Sequence, residues 1–116
     1  MQAERLFVVL SNAPDAATAD RIAGQLVGER LAACVNILAP CRSVYRWEGG
    51  IRHDDEVPLL IKTPADRLDA LLARLKALHP YEVPEIVALP AAAVWPAYLD
   101  WAIVQTRSEG GRAAEG

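Results

Sequence analysis

The residues with metal-ligating or proton-transferring chemistry are two histidines, two cysteines and several carboxylates. His79 stands before Pro80, at the end of a leucine-rich segment. A neutral imidazole there is a candidate metal ligand. The alternative is a helix-terminal histidine that interacts with the last carbonyls and the helix dipole. Cys34 is a candidate soft ligand for Cu(I), but within Ala33-Cys34-Val35-Asn36-Ile37 it also reads as a small buried hydrophobe. Cys41 follows Pro40, and no second soft ligand lies near it in the sequence. His53-Asp54-Asp55-Glu56 puts three carboxylates beside an imidazole, a set able to hold a hard or borderline divalent cation. It lacks the ligand spacing of an EF-hand loop and equally suits a solvated, charged hairpin arm. Catalytic signatures are missing: the chain contains no GxSxG, HExxH, CxxC or Walker A sequence. An acylphosphatase-like site would need an Arg and an anion-cradling loop after the first strand, and Ser11-Asn12-Ala13-Pro14 has neither Arg nor Gly. The expectation is a protein that is not an enzyme.

These residues must be positioned by a small set of elements. Cys41–Lys62 reads as one long β-hairpin. Ser43-Val44-Tyr45-Arg46-Trp47 alternates, with Val44 on one face and Tyr45 and Trp47 on the other. Gly49-Gly50 is the expected two-residue turn. Leu6–Leu10 reads as a buried central strand. The turn that follows places Asn12 or Ala13 as a helix cap, with Pro14 near the first helical position. Ala16–Arg30 has helical apolar spacing, and Leu31–Leu38 reads as the second strand, with a bulge or bend at Pro40. Thr63-Pro64-Ala65-Asp66 reads as a helix start with Thr63 as the cap. Leu68, Leu71, Leu72, Leu75 and Leu78 then form the apolar stripe. His79-Pro80 ends this helix. Pro84–Pro90 reads as a short strand between two prolines, which favour an edge or strand-end position, and Ala93–Val104 as a C-terminal helix.

The order β-α-β-β-α-β predicts an α+β fold: a ferredoxin-like βαββαβ sandwich with a long β-hairpin and an additional C-terminal helix. The two βαβ halves form a weak pseudo-repeat. A single domain is expected over residues 1–107, followed by a disordered Gly/Ala/Glu-rich tail at 108–116. The 116 residues are 53% hydrophobic and 23% charged, enough apolar material for a core. The net charge is −3, and the basic residues are scattered, so neither nucleic acid nor an anionic membrane finds a basic patch. No apolar run approaches the roughly 18–20 residues of a membrane span, and the N-terminal stretch reads as a strand rather than a signal peptide. Two cysteines seven apart are too few for a disulfide framework; reduced thiols and a cytoplasmic location are expected.

The hairpin is too long for its domain. From Ala33 to Trp47 the second strand could reach ~50 Å at about 3.3 Å per residue. A domain of this size is roughly 35 Å across. An overhanging hairpin carrying Tyr45, Trp47, Val57 and Leu59 would expose apolar surface and strand edges. The simplest cover is a second copy of the chain. Trp47, Tyr81, Tyr98 and Trp101, with Glu48, Glu82 and Glu85, then either pack an interface or frame a cleft between subunits.

Five segments carry a specific resemblance: Leu31-Ala32-Ala33-Cys34-Val35-Asn36, Tyr45-Arg46-Trp47-Glu48-Gly49, Leu60-Ile61-Lys62-Thr63, His79-Pro80-Tyr81-Glu82-Val83-Pro84-Glu85 and Tyr98-Leu99-Asp100-Trp101. In this order and spacing the chain resembles the CutA divalent-cation tolerance family from about Leu6 to Val104. The resemblance implies a ferredoxin-like protomer in a tight homotrimer, paired through the long hairpin. It also implies a role in tolerance to copper and other divalent metal ions, with copper or another divalent cation as a ligand rather than a required cofactor. The trimer is similar in shape to PII signalling proteins, which implies an alternative: a signalling or scaffold trimer that binds a small molecule or a partner protein in the cleft between subunits. Copper ligands proposed for the family are a Cys at the end of the first strand and a His pair before Pro-Tyr. Those positions are Ser11 and Leu78-His79 here, so the resemblance carries over His79 alone.

Overall fold

A computed structural model describes residues 5–107. The expected tail at 108–116 lies outside them. Five strands and three α-helices follow one another in the expected sense. They are β1 (Leu6–Ala13), α1 (Ala16–Gly28), β2 (Cys34–Ile37), β3 (Cys41–Trp47), β4 (Gly50–Pro64), α2 (Leu68–Leu78), β5 (Val87–Pro90) and α3 (Pro96–Gln105). The sheet is antiparallel in the order β2-β4-β1-β5, and β3 pairs with the outer half of β4. This is the ferredoxin-like α+β arrangement, with β5 at an edge and Pro90 at its end, positions that proline tolerates.

Alternation along β1 and β4 sorts the side chains between two faces. Val9 and Ala13 on β1, with Val57, Leu59 and Ile61 on β4, turn to one side. There they join Ala19, Ile22 and Leu26 of α1 and Leu71 and Leu75 of α2 in the main core. All are buried, and each large aliphatic contributes about 1.5–3 kcal/mol relative to exposure. Leu6 has the opposite parity and packs with Ala33 and with Ala102, Tyr98 and Leu99 of α3. The additional helix thus covers one end of the other face. Arg74 grips Glu29 through two 2.9 Å hydrogen bonds, tying α2 to α1.

Several boundaries differ from the sequence expectation. The first strand runs on to Ala13, because Ser11, Asn12 and Ala13 pair with Leu59, Pro58 and Val57 of the unusually long β4. The cap of α1 is therefore neither Asn12 nor Ala13 but Asp15, whose carboxylate accepts from the Thr18 N–H at 2.8 Å. That bond is the leading reason the Asp15 carboxyl is held below its ordinary range. Thr63 is not a cap either. It is a buried strand residue whose hydroxyl donates to the Leu31 carbonyl at 2.8 Å. Ala65–Arg67 forms a 3-10 turn before α2. Pro40 does interrupt the second strand, as its missing N–H demands, dividing it into β2 and β3.

The hairpin turn is displaced by one residue. Trp47 pairs with Gly50, which leaves Glu48 and Gly49 at the corner with φ of 49° and 81°. A two-residue turn matching strand twist needs positive φ at both positions. Glu48 therefore adopts a conformation that Gly or Asn would enter more easily. The hairpin projects as expected. The molecule measures 53 × 27 × 23 Å, with a radius of gyration of 15.3 Å against the roughly 13 Å of a compact domain of 100 residues.

Candidate functional site

A cleft of about 750 Å³ opens where the projecting hairpin meets the loop between α2 and β5. Two strand periods build one wall. Ser43, Tyr45 and Trp47 share a face of β3, and the register sets Asp54 opposite Ser43 and Glu56 opposite Cys41 on the same side of β4. The pleat therefore divides the acidic run read from the sequence. Asp54 and Glu56 enter the cleft wall, while His53 and Asp55 take the other parity, with Asp55 beside Arg42 at 3.9 Å. Tyr81, Glu82 and Glu85 come from the loop that His79-Pro80 begins, and Asn12 from the end of β1.

Hydrogen bonds hold this wall in place. The Tyr45 hydroxyl donates to Asp54, and the Tyr81 hydroxyl donates to Glu56 at 3.0 Å. The Asn12 amide donates to Glu85 at 3.0 Å. Burial, aided by the bond to Glu56, pushes the Tyr81 phenol far above its ordinary value. The Asp54 bond raises Tyr45 in the same direction. Both phenols therefore stay protonated donors.

His79 stands behind the cleft rather than in it. It caps α2 and is 7% exposed. Its Nδ1 lies 3.2 Å from the Tyr81 backbone N–H, which has only a proton to offer, so Nδ1 accepts. The ring proton is then on Nε2, which donates to the Asn12 carbonyl at 2.6 Å. Its ring also meets that of Tyr81 at 4.7 Å between centroids. Both nitrogens are engaged, and among the described residues no group of three or more His, Cys, Asp or Glu is arranged to hold a metal ion. Ser11, at the position of the family's proposed copper cysteine, is 2% exposed, and its hydroxyl has no hydrogen-bond partner. These residues do not fit a tightly coordinated resident metal.

The other sequence candidates are dispersed. Cys34 is half-buried on β2, beside Tyr98, whose phenol is raised chiefly by burial. Tyr98 and Trp101 pair with each other on α3, 5.5 Å between centroids. Neither lines the cleft, and Glu48 sits at the hairpin tip outside it. Trp47, Tyr81, Glu82 and Glu85 are the expected residues that the fold brings together. Asn12, Ser43, Asp54 and Glu56 are wall residues that sequence reading did not assign to a cleft. The alternation of Ser43-Tyr45-Trp47 and Asp54-Glu56 was a usable signal, but their facing each other depends on the register.

The sequence profile of the CutA1 divalent ion tolerance protein family matches residues 7–105. The divalent-cation tolerance protein CutA of Thermus thermophilus is 53% identical over 94 residues, 81% of this chain and 91% of that protein. The crystal structure of CutA from Xylella fastidiosa superposes with a TM-score of 0.85 at 42% identity, covering 88% of this chain and 98% of that one. The Archaeoglobus fulgidus structure, described as a periplasmic divalent cation tolerance protein, gives a TM-score of 0.84 at 33% identity over 88% and 99% of the two chains. With a matching profile along nearly its whole described length, and relatives of this identity, the chain belongs to the CutA divalent-cation tolerance family.

Proposed function

We propose that this chain works as a homotrimer, assembled through the β3–β4 hairpin, in the cellular response to divalent metal ions, copper among them. The reading is of a binding protein rather than an enzyme, acting in the cytoplasm. One observation carries it. The hairpin extends beyond the sheet with Val44 59% and Ile51 61% exposed, apolar side chains on a projecting arm that a further copy of the chain would cover. Metal contact in this reading is weak and direct. The carboxylates of Asp54, Glu56, Glu82 and Glu85 attract cations to the cleft without three of them converging on one ion. No helix among the described residues is long and apolar enough to cross a membrane.

Light scattering tests the assembly: a trimer is expected, and a monomer at micromolar concentration overturns it. Calorimetry with Cu(II), Cu(I) and Zn(II) tests the metal step. Weak binding that survives His79→Ala but falls in Glu56→Gln supports attraction by the cleft. Tight stoichiometric binding lost in His79→Ala would replace it with a site at the histidine.

A second reading is a PII-like signalling or scaffold trimer that binds a small molecule in the same cleft. The cleft volume favours it, since about 750 Å³ lies within the range of small-molecule sites.

A further inference from the structure

The family resemblance carries copper over to His79, with partners at the positions of Ser11 and Leu78. Three features of the structure disagree with it. The first is the ring. A backbone N–H can only donate, so Nδ1 commits its lone pair to Tyr81 at 3.2 Å. Nε2 carries the proton and donates it to the Asn12 carbonyl at 2.6 Å. A metal needs one of these nitrogens as a lone pair. Coordination through Nδ1 would orphan the Tyr81 N–H, and coordination through Nε2 would orphan the Asn12 carbonyl. The ring is 7% exposed, so little water is at hand to replace the lost bond.

The second feature is the donor set. Leu78 packs against the main core, the side to which the buried Ser11 also turns. An alkyl group and a hydroxyl thus stand where soft or imidazole donors would suit copper. A cation there would be desolvated among aliphatic side chains with no charge to meet it. The third feature is electrostatic. Arg21 of α1 donates to the Leu78 carbonyl at 3.3 Å, which sets a guanidinium at the residue before His79. Like charge opposes the approach of a further cation.

We propose that His79 is a positioning residue closed to metal. It is a clasp, held as the Nε2–H tautomer, that fixes the start of the cleft loop to the end of β1. The position that the family resemblance gives to copper is a joint of the scaffold in this chain. The proposal goes beyond the cleft's attraction for cations and beyond assembly, and depends on neither, since it concerns only what the imidazole binds.

Nitrogen NMR of the wild-type ring, before and after equimolar Cu(I) or Zn(II), reads the tautomer. A protonated Nε2 and an accepting Nδ1 are expected, unchanged by either ion. A ring signal that moves in step with equimolar metal overturns the proposal. His79→Gln separates the two roles, because an amide also offers an acceptor and a donor but suits copper poorly. Exchange of the Tyr81 amide hydrogen should quicken about tenfold in His79→Ala, the equivalent of one buried hydrogen bond, and be largely restored in His79→Gln. Calorimetry with Cu(II) should give one and the same weak isotherm for wild type and both variants. Circular dichroism checks folding, and if His79→Ala does not fold, the wild-type ring and the glutamine variant decide. Affinity for Cu(II) that falls about tenfold or more in both variants overturns the proposal, as does Tyr81 exchange at one rate in all three proteins. Cu(II) binding lost only in Glu56→Gln supports it by placing the ion in the cleft. Absence of Cu(II) binding in wild type supports the clasp and counts against the cleft attraction.

Discussion

The Nε2 of His79 lies 2.6 Å from the carbonyl oxygen of Asn12, which joins the end of α2 to the end of β1 across 67 residues of chain. The opposite ring nitrogen accepts from the Tyr81 backbone and sets the direction of the loop that walls the cleft. Asn12 itself reaches Glu85 at the far end of that loop. The histidine thus positions the site through its neighbours. His79→Ala should cost about 1–3 kcal/mol by leaving the Asn12 carbonyl and the Tyr81 N–H without their partner. Chemical denaturation measures this directly. An unchanged midpoint would show that the imidazole has no structural role.

All three tyrosines of the chain, Tyr45, Tyr81 and Tyr98, hold their protons above the ordinary phenol range. An unfolded tyrosine ionises near 10.0, while folded Tyr81 does not. Between those two values the unfolded state binds fewer protons, so raising the pH favours unfolding. The stabilisation is full below pH 10 and is lost above it. Thermal midpoints should be flat in this respect up to that pH and then fall, and Tyr81→Phe should shallow the fall. Absorbance at alkaline pH should show ionisation later than that of free tyrosine.

Glu48 carries a positive φ of 49° at the hairpin corner, next to Gly49 at 81°. Asn enters that region more readily, and Asn-Gly is the favoured pair for such a turn. Glu48→Asn should therefore stabilise the chain by about 0.5–1 kcal/mol, read as a higher midpoint of thermal unfolding. A drop would mean that the Glu48 side chain has a role at the tip that outweighs the backbone strain.

Ser11 faces the main core from β1 with its hydroxyl unpartnered. Replacing it by Ala removes a buried polar group and only one heavy atom. Ser11→Ala should raise stability by about 1 kcal/mol. Equilibrium unfolding in urea checks this, and a marked loss would show that the hydroxyl is satisfied in the assembled protein.

Much of the architecture was legible because it rests on local periodicity. The leucine stripe of α2 and the alternation of Ser43–Trp47 each report burial on one side of an element, and burial is the dominant local force. Boundaries were less legible where two local rules competed. Thr63-Pro64 has the chemistry of a helix cap. The long β4 nevertheless takes both residues into the sheet, because strand pairing with Leu6 and Phe7 satisfies their backbone. Asn12 and Ala13 moved from turn to strand for the same reason.

By itself the sequence determined the order of elements, the ferredoxin-like class, the projecting hairpin and the family, since all of these follow from near-neighbour pattern and from residue identity. Only the tertiary structure decided the site. It divided His53-Asp54-Asp55-Glu56 between two faces, turned His79 inward to Asn12, sent Tyr98 and Trp101 to a separate cluster and assembled Tyr45, Trp47, Tyr81 and four carboxylates around one cleft. The physical reason is register. A shift of one residue in strand pairing exchanges the two faces of a strand, and that choice is made by long-range packing and turn geometry rather than by any stretch of chain alone.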